Sequence, residues 1–280
     1  MPELPEVETI KRDLEKEVVG RRIKAVEVTG MRSVRRHPNK KHFASKLEGF
    51  KIAGVERKGK YLVIRLETGD VLVVHLGMSG QLLRSKGAAR DPVPKHTHVV
   101  ITFTQGGELR FVDPRTFGEM FVTAPGDLAD AVPELAHLGF DPVDDMISWT
   151  RFGESLTSRK TKLKTLLMDQ RFVAGIGTIY SDEILWGAGL RYDRGSESLS
   201  SQEVRRLYRA MVEVLQDAIK HRGSSLGDEQ YRDLFGVMGE YQTQHKVYDR
   251  EGQACRRCRS TVVRQKFAGR STFLCPQCQV

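Results

Sequence analysis

All four cysteines of this 280-residue chain fall within its last 26 residues, as Cys255-x2-Cys258-x16-Cys275-x2-Cys278. Two Cys-x2-Cys pairs separated by a hairpin-length spacer can bring four thiolates to one tetrahedral centre, and this spacing reads as zinc. A disulfide scaffold would spread cysteines through the chain, and a reducing cytosol disfavours it. Four sulfur ligands leave no open coordination position, so the expectation is one structural Zn2+ and not a catalytic one. The metal would fold a tail too short to bury a core of its own. The spacer is basic, with Gly269-Arg270 near its middle. A guanidinium on a metal-stapled tip is suited to gripping a phosphate through two hydrogen bonds.

Charge supports a polyanionic partner. The chain has 45 Lys+Arg against 36 Asp+Glu, a formal +9. Residues 21–60 hold 13 Lys/Arg against three Glu, and residues 241–280 hold eight against two acids. Between them, residues 119–145 hold seven carboxylates and no Lys or Arg. Two basic blocks around an acidic one suggest two surfaces closing on nucleic acid. No apolar run approaches the ~18 residues that span a bilayer, which excludes membrane-spanning helices. The start, Met1-Pro-Glu-Leu-Pro-Glu6, lacks the apolar stretch of a secretory signal. The expected location is therefore the cytosol.

Periodicity divides the chain. Val7, Ile10, Leu14 and Val18 recur at helical spacing, predicting a helix over 3–19 that Gly20 stops. Segments 61–66 and 71–75 flank the turn Thr68-Gly69-Asp70, and 98–104 and 108–112 flank Gly106-Gly107. These alternating short runs predict an antiparallel β domain of two packed sheets, ending in the acidic stretch 123–145. Beyond residue 150 the pattern turns helical. A short stretch carries Leu163, Leu166 and Leu167, a helix spans about 178–186, and Ser200 with Glu203 caps a long helix closed by Gly223. Residues 223–240 are Gly-rich and read as a mobile loop.

Two further signals carry chemistry. Gly175-Ile176-Gly177 precedes a helix, where close approach and the helix dipole suit an anion, with Lys160, Lys162 and Lys164 upstream. At the start, a small second residue, Pro2, allows removal of Met1 and would leave a secondary amine. With an α-amino pKa near 7.7–8.0, roughly 10–17% is unprotonated at pH 7, against about 0.04% for an ordinary lysine. Attack by such an amine on a sugar aldehyde carbon gives a cationic iminium, an electron sink for elimination. Glu3 beside it could move protons.

The motifs together resemble the bacterial formamidopyrimidine-DNA glycosylase family over essentially the whole chain. The resemblance rests on Met1-Pro-Glu-Leu-Pro-Glu-Val-Glu-Thr9, His75-Leu-Gly-Met-Ser-Gly80 and Asp113-Pro-Arg-Thr-Phe-Gly118. It continues through Leu167-Met-Asp-Gln170, Gly175-Ile-Gly-Thr-Ile-Tyr180 and the terminal Gly269-Arg-Ser-Thr-Phe-Leu-Cys-Pro-Gln-Cys-Gln279. It implies an α+β multidomain fold. An N-terminal helix and antiparallel β-sandwich would form a catalytic domain over 1–135. A helix–two-turn–helix domain would cover 136–240, and a zinc-finger β-hairpin 241–280.

The implied activity is excision of oxidised purines from damaged double-stranded DNA, followed by cutting of the abasic strand. By motif, Pro2 is the Schiff-base nucleophile, Glu3 the acid/base residue, Lys60 an essential lysine near the amine, and Arg270 the hairpin arginine used in δ-elimination. Met78, Arg115 and Phe117 match residues that fill the gap left by the extruded nucleotide; an apolar wedge unstacks a base step while Arg pairs with the orphaned base. Without the motif, Met78 and Phe117 would read as sandwich core. His96, Lys160 and Lys164 match DNA contacts, and Thr178 opens the phosphate-binding helix. The implied protein works as a monomer on the bacterial nucleoid.

The chain departs from the pattern at Thr178, where the family usually has Asn, at Gly139-Phe-Asp-Pro-Val143, at Asp249 and at Arg259. The loop Gly223-Ser-Ser-Leu-Gly-Asp-Glu-Gln230 lacks the basic residue some members carry there, which leaves lesion preference the weakest implication. Two alternatives stand beside this reading. One is a related endonuclease VIII-type enzyme for oxidised pyrimidines, disfavoured by Leu4. The other is a non-catalytic zinc-ribbon DNA-binding protein.

Overall fold

A computed structural model describes all 280 residues, which form two compact units. The first comprises Met1–Ala136 with His221–Glu240, the second His137–Lys220 with Tyr241–Val280. No helix is long and apolar enough to cross a membrane.

The first unit opens with α1 (Leu4–Val18), whose Val7, Ile10, Leu14 and Val18 are all buried, as their spacing predicts. Eight strands follow: β1 (Ile23–Val28), β2 (Ile52–Lys58), β3 (Tyr61–Leu66), β4 (Val71–His75), β5 (Gln81–Ser85), β6 (Thr97–Phe103), β7 (Glu108–Val112) and β8 (Glu119–Thr123). The short helix α2 (Lys40–Ser45) lies between β1 and β2, and α3 (Leu128–Ala131) and α4 (Pro133–Ala136) follow β8. The strands make two antiparallel sheets, ordered β1-β6-β7-β5 and β2-β3-β4-β8. Their inner faces share one core in which Leu62, Ile64, Leu72 and Val74 meet Ile101, Phe103, Leu109 and Phe111. On the outer face of the second sheet, Val63, Val71, Val73 and Phe121 pack with Leu128 and Val132. Burial on both faces explains why β3 and β4 read as nearly unbroken apolar runs.

Residues 221–240 group with the first unit. They contain no helix or strand, yet Tyr231 and Leu234 enter the sandwich core. Polar ties hold the segment there: Arg222 pairs with Asp13 and Asp233, Gln81 Nε2 donates to the Gln230 carbonyl at 2.8 Å, and Arg84 N donates to that of Leu234 at 2.7 Å. The Gly-rich composition hides two apolar anchors.

The second unit holds α5 (Trp149–Thr157), α6 (Leu163–Met168), α7 (Thr178–Ala188), α8 (Ser201–Lys220) and the hairpin β9 (Val263–Phe267) and β10 (Arg270–Leu274). The cap of α8 forms as expected: Ser200 N donates to Glu203 Oε2 at 2.9 Å, and Glu203 N to Ser200 Oγ at 3.3 Å. Its buried face carries Val204, Leu207, Met211, Leu215, Ala218 and Ile219. The finger is not an isolated body. Trp186 of α7 packs among Val247, Cys255, Val262, Phe273 and Cys275, so the cysteine-bearing tail shares a core with the helices.

Candidate active site and nucleic-acid interface

The N-terminus is held rather than frayed. Glu3 is the N-cap of α1, its carboxylate accepting the Glu6 N–H while Glu3 N donates to Glu6 Oε2 at 2.8 Å. Pro2 is buried, Glu3 is 2% exposed and Glu6 1%, whereas Met1 is half-exposed. The other oxygen of Glu6 accepts Ser224 N at 2.8 Å, so one buried carboxylate ties the cap to the segment after α8. Lys60 is half-buried in the two-residue turn joining β2 and β3, and Gly59 before it has φ +56°. That turn is bonded back to α1. Buried Arg57 donates to Glu8 Oε2 at 2.9 Å and to the Gly59 carbonyl at 3.2 Å. The turn that carries Lys60 and the Glu3 carboxylate are thus both tied to α1, the helix that Pro2 precedes.

Met78 and Phe117 overturn the core reading: they are 42% and 46% exposed. Arg115 is exposed too, its guanidinium 5.1 Å from the Phe117 ring centroid. One fully buried carboxylate, Asp113, gathers this surface. It accepts Ser79 Oγ at 2.6 Å and Gly118 N at 2.7 Å, fixing the loop of Met78 against that of Arg115 and Phe117. Asp113 N in turn donates to the carbonyl of exposed His96 at 3.0 Å. The loops touch so closely that a Cβ at Gly77, where φ is +61°, would sit 2.6 Å from Gly118 N. Thr116 also adopts φ +57°, a left-handed conformation unfavourable for a β-branched residue. Exposed apolar side chains on so constrained a frame suit insertion into a partner.

His75 escaped sequence reasoning as a site residue, although it opens the His75–Gly80 motif. Its ring lies 4.5 Å from that of Tyr61, next to Lys60 in the chain. Burial pushes its imidazole pKa down; Glu119 opposes this while Lys60 and Arg35 add to it.

In the second unit the predicted basic residues separate. Lys160 is exposed, and so is Arg270. Lys164, by contrast, is 1% exposed. Its ammonium is committed to Asp182 Oδ1 at 2.6 Å, Thr272 Oγ1 at 2.7 Å and the Ser271 carbonyl at 3.3 Å. The spacing of Lys160, Lys162 and Lys164 gives no sign that a buried acid waits for the third.

The turn before α7 is built by Gln170. Its Oε1 accepts Gly175 N at 2.8 Å and its Nε2 donates to the Ile176 carbonyl at 2.8 Å. Gly177 is the N-cap, and Thr178 is half-buried in the first turn. A cavity of about 420 Å³ opens between α6 and the hairpin, lined by Lys164, Thr165, Met168, Arg171, Phe267 and Arg270 among others.

The hairpin tip is Ala268-Gly269, both with positive φ (+47° and +77°), the signature of a tight hairpin turn. Arg270 follows as the first residue of β10. The sulfurs of Cys255, Cys258, Cys275 and Cys278 all lie within 4.8 Å of one another, with 3.9 Å between Cys255 and Cys278 and 3.4 Å between Cys258 and Cys275. Tetrahedral zinc with Zn–S bonds near 2.3 Å needs sulfurs about 3.8 Å apart, so the four thiols fit the ion. The Trp186 indole N–H donates to Cys255 Sγ at 3.4 Å, an outer-sphere bond to a ligand atom.

Family models match three consecutive stretches: the formamidopyrimidine-DNA glycosylase N-terminal domain over residues 1–120, its H2TH domain over 138–230, and the zinc finger found in FPG and IleRS over 252–280. The chain belongs to the formamidopyrimidine-DNA glycosylase family. Among the family's curated members, that of Salinispora arenicola is 44% identical across the whole chain and 96% of its own length. The crystal structure of MutM (Fpg) from Thermus thermophilus is 41% identical and superposes with a TM-score of 0.86 over 99% of this chain and 98% of that one. Lactococcus lactis Fpg, solved with abasic-site DNA and with N7-benzyl-Fapy-dG DNA, is 33% and 34% identical, with a TM-score of 0.88 and 99% coverage of both chains in each case.

Proposed function

We propose that the protein is a DNA glycosylase with associated abasic-site lyase activity, acting on oxidised purines in duplex DNA. The observation that carries this reading is the N-terminal arrangement, a buried Pro2 leading into the Glu3 cap of α1. Chain termini are ordinarily loose. A terminus that must act as a reagent needs to be held, and the Glu3–Glu6 cap holds this one.

In the proposed sequence, loss of Met1 frees the Pro2 amine, which attacks C1′ of the damaged nucleotide. The C1′–N bond breaks and the base departs with a proton. Ring opening gives an iminium cation between Pro2 and the sugar. Loss of a C2′ proton then expels the 3′ phosphate, and a second elimination expels the 5′ phosphate. Glu3 moves the protons within the first turn of α1. Lys60 lies in the turn bonded back to that helix through Arg57. Met78, Arg115 and Phe117 occupy the space of the extruded nucleotide. Exposed His96 and Lys160 and the Gly175–Thr178 turn bind phosphates. Arg270 grips the phosphate at the lesion and assists the second elimination. When bound, zinc supplies no reaction chemistry and only folds the segment that presents Arg270.

The first unit is then catalytic, the helices and hairpin of the second hold DNA, and one chain suffices as a cytoplasmic monomer. Cleavage of 8-oxoguanine and thymine-glycol duplexes compares the two lesion classes. The expected result is faster processing of 8-oxoguanine, with strand cutting abolished when a tag is retained before Pro2. Undiminished cutting by the tagged protein contradicts the mechanism. Binding that persists while Glu3→Gln and Lys60→Ala leave excision and cutting unchanged contradicts catalysis by these residues.

A further inference from the structure

Two consecutive carboxylates of α7, Asp182 and Glu183, are fully buried, and both reach into the chain segment that carries the hairpin. Glu183 accepts the backbone N–H groups of Lys246, Val247 and Tyr248 at 2.9–3.0 Å. Asp182 holds β10 itself. Its Oδ1 accepts Thr272 Oγ1 at 2.6 Å and Lys164 Nζ at 2.6 Å, and its Oδ2 accepts Phe273 N at 2.9 Å. Lys164 closes the ring by donating to Thr272 Oγ1 at 2.7 Å and to the Ser271 carbonyl. The side chains of Asp182, Lys164 and Thr272 in this knot are all buried, and it spans α6, α7 and β10.

Arg270 lies two residues before Thr272 on the same strand. Alternation along a strand puts the two side chains on one face, roughly 7 Å apart. Thr272 is buried on that face and Arg270 extends beyond it to the cavity that Lys164 also lines. The four thiols staple the far end of β10, so they do not by themselves fix where the tip stands relative to α7. We propose that Asp182 is a positioning residue for Arg270: through Thr272, Phe273 N and Lys164 it sets the height and register of β10 against the helix whose first turn receives phosphate. The requirement is geometric. Transition-state contacts made by a guanidinium fall off steeply with displacements of about 1 Å. Tyr192 also packs against Phe267 of β9, with ring centroids 4.9 Å apart, and bonds Gln265, but it is the Asp182 knot that bonds β10, the strand of Arg270, to α7. This inference rests on the lyase reading of Arg270.

The test is a double-mutant cycle on the zinc-loaded full-length protein, following the second elimination on a preformed abasic duplex. Asp182→Asn keeps the size but cannot accept Phe273 N and the Thr272–Lys164 pair together. It should slow formation of the second-elimination product at least tenfold while borohydride trapping falls less than threefold. In an Arg270→Ala background the same substitution should change that rate less than twofold. Thr272→Val, which deletes one hydroxyl, should act in the same direction more weakly, and it carries the test if Asp182→Asn loses zinc. Equal losses in both backgrounds, or parallel loss of trapping and second elimination, assign Asp182 to general stability and overturn the proposal. A wild-type protein that gives no trapped adduct overturns the lyase reading, and this inference with it.

Discussion

The two units fix the side chains proposed to act on DNA by different means. Around Met78, Arg115 and Phe117, position is set by backbone contact: two loops so close that Gly77 has no room for a Cβ, and one buried Asp113 that accepts a hydroxyl and a backbone N–H. Around Arg270, position depends on a thiol cluster fitted to zinc and on a buried charge knot, Lys164 with Asp182. The first scheme is built into the fold of the sandwich. The second rests on a thiol cluster at one end of the hairpin and on two matched buried charges. Disabling the hairpin of the second unit should therefore leave the sandwich of the first folded.

Zinc removal should expose the contrast most strongly. Structural zinc contributes about 10–16 kcal/mol of binding free energy in isolated fingers. Chelation, or Cys258→Ser, should therefore lower DNA affinity at least a hundredfold while the aromatic circular dichroism of the sandwich persists. Parallel loss of both signals would erase the distinction between the units. Lys164→Met comes next. It leaves Asp182 buried without its cation, a change that ordinarily destabilises by about 3–5 kcal/mol. Thermal unfolding should show a lowered transition for the second unit alone.

Gly77→Ala probes the other scheme. The added Cβ would meet Gly118 N at 2.6 Å in a left-handed conformation, for an expected loss of roughly 2–4 kcal/mol, read as a lower melting temperature and slower excision. The smallest effect is at Glu203, where the hydrogen bond from Arg194, with that from Ser200 N, holds the carboxyl at about 2, below its usual 4.5. A depressed folded-state pKa contributes stability above pH 4.5 that is lost as pH falls toward 2. The site is partly solvated, so Glu203→Gln should lose less than about 1 kcal/mol at pH 6 and flatten the acid decline in melting temperature.

Much of this architecture is legible in the sequence where one period or one spacing dominates. The buried stripe of α1, strands β3, β4, β6 and β7, the capping box of α8 and the zinc ligands fall in that class. Strands β1 and β2 lie in the most basic stretch, where outward Lys24, Lys58 and Glu56 mask short apolar patterns. Residues 221–240 are opaque because their attachment rests on Tyr231 and Leu234 and on ion pairs such as that of Arg222 with Asp13, 209 positions away. Lys164 misleads for the same reason: a buried lysine and a solvated one look identical until the acid facing it is known. The exposed wedge at Met78 and Phe117 is legible only through its motif, since apolar residues between strands ordinarily mean core.

In the proposed mechanism the chain's own terminal amine forms the covalent bond to DNA. Borohydride reduction on an 8-oxoguanine duplex, followed by mass mapping of the crosslinked peptide, tests it most directly. One adduct is expected, located at Pro2. An adduct at Lys60 or any other lysine, or no adduct with protein that has lost Met1, would contradict it.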